Sequence, residues 1–335
     1  MWHFMDHKFP GLRDTFHLGK QGKALRRSRA ADILNAVESV VDGTDNKIRL
    51  VPGYMKKLQG TIQDSLDFAD DLVSQIPLAI EVSSSTFTSD PYVNAFFTNV
   101  TDLQSIFSHS SEVQDYMEDC HDNNARCCAL LCMHREEKTV MGMELSGNML
   151  KKDVMQTAVS FSDHRVYSPA PSEPETREGL KNCLFQGLVT NALERIVQLR
   201  LANHQLQNRH QVLHARLRRH RQQTGKVGQG TRTIEKTNLE LKKIEKEMLH
   251  APLLTPQILL QQVLEVFSKP DDFVQVRKLQ LRLNKMGIKI SDNSAQADNK
   301  LNLTEVIIGN NLPRVVTLAM FPRKELLAKT VFSGF

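Results

Sequence analysis

Three groups of residues have the types and spacing to do chemistry. Cys120, His121, Cys127, Cys128, Cys132 and His134 fall within fifteen residues, and thiolates and imidazoles are the side chains that hold zinc. The paired C-x-x-C spacing that suits one tetrahedral ion is missing. Cys127 and Cys128 are adjacent, so on a strand they point to opposite faces. Cys128, Cys132 and His134 can share a face with Leu130 between them, which makes them weak candidates for a metal or redox site. A buried strand accounts for the same residues, because cysteine is among the most buried types.

The second group is Ser160, Ser162, Asp163, His164 and Arg165. These are the residue types of a hydrolase triad, yet no G-x-S-x-G elbow is present, and closeness in sequence does not make triad geometry. A polar loop held by its own hydrogen bonds explains them as well. The third is Gly225-Lys226-Val227-Gly228-Gln229-Gly230-Thr231. The order GxxxxGK[ST] is absent and no strand precedes it, so the glycines read as a flexible turn. No catalytic residue is assigned, and no motif calls for a cofactor.

Charge is more informative. The net charge of the 335 residues is +5, but its distribution is uneven. No Asp or Glu lies between Glu194 and Glu235, an interval holding Arg195, Arg200, Arg209, Arg216, Arg218, Arg219, Arg221, Lys226 and Arg232. A second acid-free stretch, Thr15 to Ala31, holds Lys20, Lys23, Arg26, Arg27 and Arg29. Such local fields attract phosphates or acidic protein surfaces, although a charge run also serves simply as a solvated helix face. The longest apolar run, Cys127 to Met133, is far short of the ~20 residues that span a bilayer. The residues after Met1 do not read as a secretory signal, and five cysteines without a framework spacing suit a reducing compartment. A cytoplasmic protein with no membrane span is expected.

The elements that must carry these residues can be read from periodicity. Residues 1–125 read as a helical region. Ala24 to Val41 and Tyr54 to Ile76 show apolar residues at helical spacing, and Asp90-Pro91 is a cap followed by a first-turn proline. Residues 126–168 read as a small antiparallel sheet packed on that region. Its strands are Cys127–Met133 and Thr139–Leu145 about a turn at Arg135-Glu136-Glu137-Lys138, followed by strand-like Val154–Val166. The clustered Met133, Met141, Met143, Met149 and Met155 suit adaptable core packing. Residues 169–178 read as a proline-rich linker, 179–250 as a helical hairpin, and 251–335 as an α+β C-terminal unit with three or four strands.

The strongest pattern lies in the hairpin. Phe185, Val189, Ala192, Ile196, Leu199, Asn203, Leu206, His210, Leu213, Leu217 and His220 alternate by four and three, and Ile234, Thr237, Leu241, Ile244 and Met248 continue the rule on a second helix. These are heptad seams. A parallel homodimer would face Arg195 with Arg200 and Arg216 with Arg221. An antiparallel fold-back near Gly228 instead sets Arg216 by Glu240 and Arg209 by Glu247, and aligns Leu213 with Leu241 and His210 with Ile244. The seam of Phe185, Val189, Ala192, Ile196 and Leu199 then extends past the second helix. It must pack on another part of the molecule or on a second copy, which makes a homo-oligomer an expectation.

The class expected is therefore α+β: a mostly helical N-terminal region with a small antiparallel sheet, a protruding antiparallel coiled-coil hairpin, and a small β-rich C-terminal unit. The leading functional expectation is a non-enzymatic interaction or scaffold protein. Arg218, Arg219, Arg221, Lys226 and Arg232 at its hairpin tip would dock a nucleic-acid backbone or an acidic protein. An enzyme or redox/metal sensor built on residues 120–134, and a self-assembling structural protein, are the alternatives.

Overall fold

Capping and helical periodicity build the N-terminal third as the residue types require. The computed structural model describes residues 22–120, 125–146, 149–223, 230–290, 299–309 and 311–327. Helix α1 (Gly22–Thr44) buries Val37, Val40 and Val41. Asp45 then caps a short 3-10 turn through the Lys47 amide. Helix α2 (Tyr54–Ser74) buries Leu58, Ile62, Ala69 and Val73 along one stripe. The two-residue strand β1 (Ile80–Glu81) follows. Asp90 caps α3 (Pro91–Phe96) by accepting from the Tyr92 and Val93 amides, with the proline in the first turn where no amide is needed. Asn99 and Ser110 cap α4 (Val100–Ser108) and α5 (Ser111–Asp119) in the same way.

The chain then forms β2 (Arg126–Ser146), β3 (Met149–Ala170), α6 (Glu173–Gln223), α7 (Gly230–His250), α8 (Pro256–Phe267), β4 (Val274–Leu283), β5 (Asn299–Ile308) and β6 (Arg314–Pro322). All six strands belong to one sheet of order β3-β2-β6-β5-β4, with β1 pairing in parallel to β6 and the other pairs antiparallel. Strand β6 pairs with β2 from Arg126↔Pro322 to Met133↔Val315. It also pairs with β5 near Val316 and with β1 near Ala319. The sheet curls until its outer strands are bridged by residues 287–290. The Val159 amide donates to the Gly287 carbonyl (2.8 Å), Lys289 to Thr157 (2.8 Å), and Ile290 to Arg282 (2.8 Å).

Alternation across the pleat divides the core in two. Cys127, Ala129, Leu131 and Met133 of β2 join Val315, Ala319 and Phe321 of β6 and Leu281, Leu301 and Leu303 in a cluster with Phe96, Phe97 and Phe107 of α3 and α4. The Phe107 and Phe321 rings stack at 4.5 Å. On the other face Cys128, Leu130, Cys132, Val316 and Leu318 pack with α1, α2, α6 and α8. The sheet is thus covered on both sides, and the molecule is α+β. Among the described residues, no helix is long and apolar enough to cross a membrane.

Four expectations are corrected. Residues 135–138 are not a turn: β2 runs through them, and their charges are paired as Arg135–Glu305 (2.8 Å), Lys138–Glu136 (2.7 Å) and Arg135 with Glu137. The stretch 169–178 is not a linker: β3 ends at Ala170 and α6 starts at Glu173. The Ser172 carbonyl accepts from the Thr176 amide (3.0 Å) and its hydroxyl donates to Glu175 (2.9 Å), so a helix starts there with Pro174, Glu173 and Glu175 in its first turn. The C-terminal strands are not a separate unit, because β6 pairs with β2. Finally, Met141 and Met155 face each other across the β2–β3 ribbon at 71% and 73% exposure, and Met143 is also exposed; of the clustered methionines described, Met133 is the one in the core.

Closure of the sheet rests on Gly287. Its φ is +73°, and an added Cβ would lie 2.9 Å from the Val159 carbonyl oxygen, a backbone atom that cannot move aside cheaply. Gly287→Ala is expected to lower the unfolding free energy by about 1–3 kcal/mol in a denaturant titration. An unchanged midpoint would show that the 287–290 segment does not hold the curled sheet closed.

Candidate functional site

Helix α6 leads from the core to the basic residues. Its first half is embedded: Leu180, Leu188, Val189, Ala192 and Ile196 are buried with Val37, Val40, Leu259 and Val263 of α1 and α8. The Phe185 ring meets Phe267 at 5.6 Å and 63°. An added Cβ at Gly43 would come 2.6 Å from Val189 Cγ1, a measure of how closely α1 and α6 approach. The proposed self-association seam is therefore corrected. Phe185, Val189, Ala192 and Ile196 are covered by their own chain, with Leu199 half-buried. Linear spacing showed that the seam needed a partner but not that α1 and α8 supply it.

Past Ile196, the buried residues of α6 among those described are Leu213 and Leu217. Leu213 packs with Leu241 and Ile244 of α7, with Met248 against them. Thr237 is buried, and Asn203 Nδ2 donates to the Pro252 carbonyl at 3.0 Å. Arg216 with Glu240, and Arg209 with Glu247, form no ion pair. Exposed pairs gain less than ~1 kcal/mol and must order two long side chains, so contact is not enforced. A polar contact that does join the helices is His210 Nε2 to Glu245 Oε1 at 3.7 Å.

Arg218, Arg219 and Arg221 are exposed near the end of α6. None forms an ion pair with a described acid. Arg218 and Arg219 line a shallow depression with His210, Gln211, His214 and Ala215. Lys226 lies outside the described residues. Arg232 sits in the first turn of α7, where side chains are not among those described.

The cysteine tract is spread out by the strand carrying it. At ~3.3 Å per residue, Cys128 and Cys132 are ~13 Å apart along β2 and His134 further still, well beyond the reach of one ion. Cys127 faces the other side. Cys120 ends α5, and His121 lies outside the described residues. Burial pushes the Cys127 and Cys132 thiols up to about 12 and raises Cys128 as well. A thiol held protonated is a poor nucleophile and ligand.

The serine–histidine group is likewise dispersed. His164 is stacked on Phe97 at 5.4 Å, with Nε2 2.8 Å from the Phe96 carbonyl, and desolvation lowers its pKa. Burial raises the Asp163 carboxyl, but the hydrogen bonds from Arg314 and Arg165 outweigh it and leave it below the usual range. Ser162 Oγ donates to Glu136 at 3.1 Å. The groups are committed to different neighbours.

One cluster escaped the sequence reading. His210, His214 and Glu245 bring their ligand atoms within 4.8 Å of one another. The signal was present: His-x-x-x-His places both rings on one helical face, and the seam alignment put Glu245 beside the layer of His210. Comparison with protein-family models, curated proteins and solved structures finds no match to this chain.

The thiols supply a test of the buried-strand geometry. A thiol at about 12 is thiolate to about one part in ten thousand at pH 8. Cys127 and Cys132 are expected to resist iodoacetamide at pH 8 until urea unfolds the chain, whereas Cys183, whose thiol desolvation raises only to about 11 and whose side chain reaches solvent, is alkylated faster than either. Unfolded thiols release their protons near pH ~8.5. The folded state holds its protons longer, so this stabilising contribution is complete below that pH and is lost as pH rises toward about 12. The urea midpoint should fall between pH 8 and 10, and less so in Cys132→Ala. Labelling of Cys132 in the folded protein would contradict its burial.

Proposed function

We propose that α6 and α7 form a protruding antiparallel coiled-coil arm in a cytoplasmic, non-enzymatic interaction or scaffold protein, and that the basic end of this arm docks an acidic surface. The observation carrying the reading is the exposure of Arg218, Arg219 and Arg221 without an acidic partner among the described residues, at the far end of a 51-residue helix whose other half is embedded in the core. A helix of that length spans ~77 Å. The antiparallel reading is supported by Leu213 packing on Leu241 and Ile244, and by Asn203 reaching Pro252.

The absence of any acid from 195 to 234 keeps the field at this end positive, and the lever holds it away from the acids of the core. The arm carries no aromatic residue after Phe185 before Phe267. Base stacking is thus not the mode of contact, and the arginines would read backbone charge. Five unpaired cysteines fit a reducing compartment.

Replacing Arg218, Arg219 and Arg221 with Glu is expected to abolish recovery of the partner when the full chain is used as bait in its native extract. Nuclease treatment separates the two partner types: loss of recovery identifies nucleic acid, and retention an acidic protein. With a purified duplex, removing three phosphate contacts should lessen the slope of log affinity against log salt by about 2 to 3. Unchanged recovery and slope in the triple variant would refute the docking role.

A further inference from the structure

We infer that His210, His214 and Glu245 form a zinc-class divalent-ion site that ties α6 to α7. The two imidazoles are one turn apart, on the side of α6 that turns Leu213 and Leu217 toward burial, and the carboxylate comes from the facing helix. His210 Nε2 and His214 Nε2 are 3.2 Å apart, and His210 Nε2 is 3.7 Å from Glu245 Oε1. Tetrahedral coordination with bonds of ~2.0–2.1 Å has edges of ~3.3–3.4 Å between ligand atoms. Both distances lie within a few tenths of an ångström of that edge. The remaining edge, between His214 and Glu245, is no longer than 4.8 Å and closes by rotation of the exposed Glu245 side chain.

Hydrogen bonding alone does not explain the cluster. The two rings at 3.2 Å can share one proton, but the Glu245 carboxylate, 3.7 Å from His210 Nε2, is too far for a hydrogen bond to that nitrogen. An ion satisfies all three lone pairs at once. Two imidazoles and one carboxylate make a borderline donor set, suited to zinc rather than to calcium or magnesium, which require several oxygens. Three protein ligands leave a fourth position for water or an anion. Arg218 and Arg219 line the same depression, opposing the cation at long range but favouring an anion at that position. The ion would join the helices beside the small apolar cluster of Leu213, Leu241, Ile244 and Met248. This site stands independently of the docking role of the arginines.

The test is titration of the reduced full-length chain with zinc by calorimetry, with cobalt(II) absorption as the signature of the ligand set. One equivalent should bind, the cobalt spectrum should lack thiolate charge-transfer bands, and calcium should not compete. His210→Ala with His214→Ala should weaken zinc binding by about a hundredfold, and Glu245→Gln alone by about tenfold. Far-UV circular dichroism should show the same helix content in each variant, since all three side chains sit on the surface of the helices. Equal zinc affinity in the wild type and the double-histidine variant would overturn the site, as would thiolate bands in the cobalt spectrum or equal competition by calcium.

Discussion

Strand β6 has to be paired along both edges and covered on both faces, and most of the architecture follows from meeting that demand. Its amides and carbonyls pair with β2 on one edge and with β5 and β1 on the other, so segments from the start, middle and end of the chain meet at one strand. Val315, Ala319 and Phe321 face the aromatic cluster of α3 and α4, while Val316 and Leu318 face α1, α2, α6 and α8. An unpaired backbone or an uncovered face at this strand would leave polar groups orphaned or apolar area in water, each costly.

That covering also places the arm. The first half of α6 is one of the helices laid over the sheet, where Phe185 meets Phe267 and Ala192 and Ile196 are buried. Because the helix does not end where the sheet ends, the buried leucines of its second half among the described residues, Leu213 and Leu217, lie beyond the sheet, and Leu213 packs on α7. The same 51-residue element therefore has an apolar base and a cationic end. The base is fixed by burial, whereas farther along Leu213 packs on Leu241 and Ile244 with Met248 against them, and His210, His214 and Glu245 lie in the same stretch.

Legibility in the sequence differed between elements for physical reasons. Caps were legible: Asp90-Pro91 and Thr255-Pro256 start helices because the side-chain oxygen and the missing proline amide both solve the same unsatisfied-donor problem. Ser172-Glu173-Pro174-Glu175 carries only the proline half of that signal, with acids in the first turn, and the neighbouring Pro169 and Pro171 masked it. The charged stretch Arg135 to Lys138 reads as a turn because its four residues carry no apolar alternation, the buried residues at that level, Val159 and Phe161, lying on the paired strand β3. The candidate chemistry was harder still. Cys128, Cys132 and His134 share a strand face but not a location, whereas His210 and His214 share a helix turn and gain Glu245 from a residue thirty-one positions later.

The amino-acid order alone determined what depends on neighbours within a turn or a pleat: the helices and their caps, the opposite facing of Cys127 and Cys128, the heptad spacing of α6 and α7, and the acid-free interval that carries the arginines. Tertiary structure alone decided which distant surfaces meet. It put the C-terminal strands beside β2, gave the Phe185–Ile196 seam to α1 and α8, exposed the methionines of the β2–β3 ribbon, and brought a carboxylate to two histidines. The reason is that periodicity records only that a face must be buried. What buries it is settled by shape and area across the whole molecule.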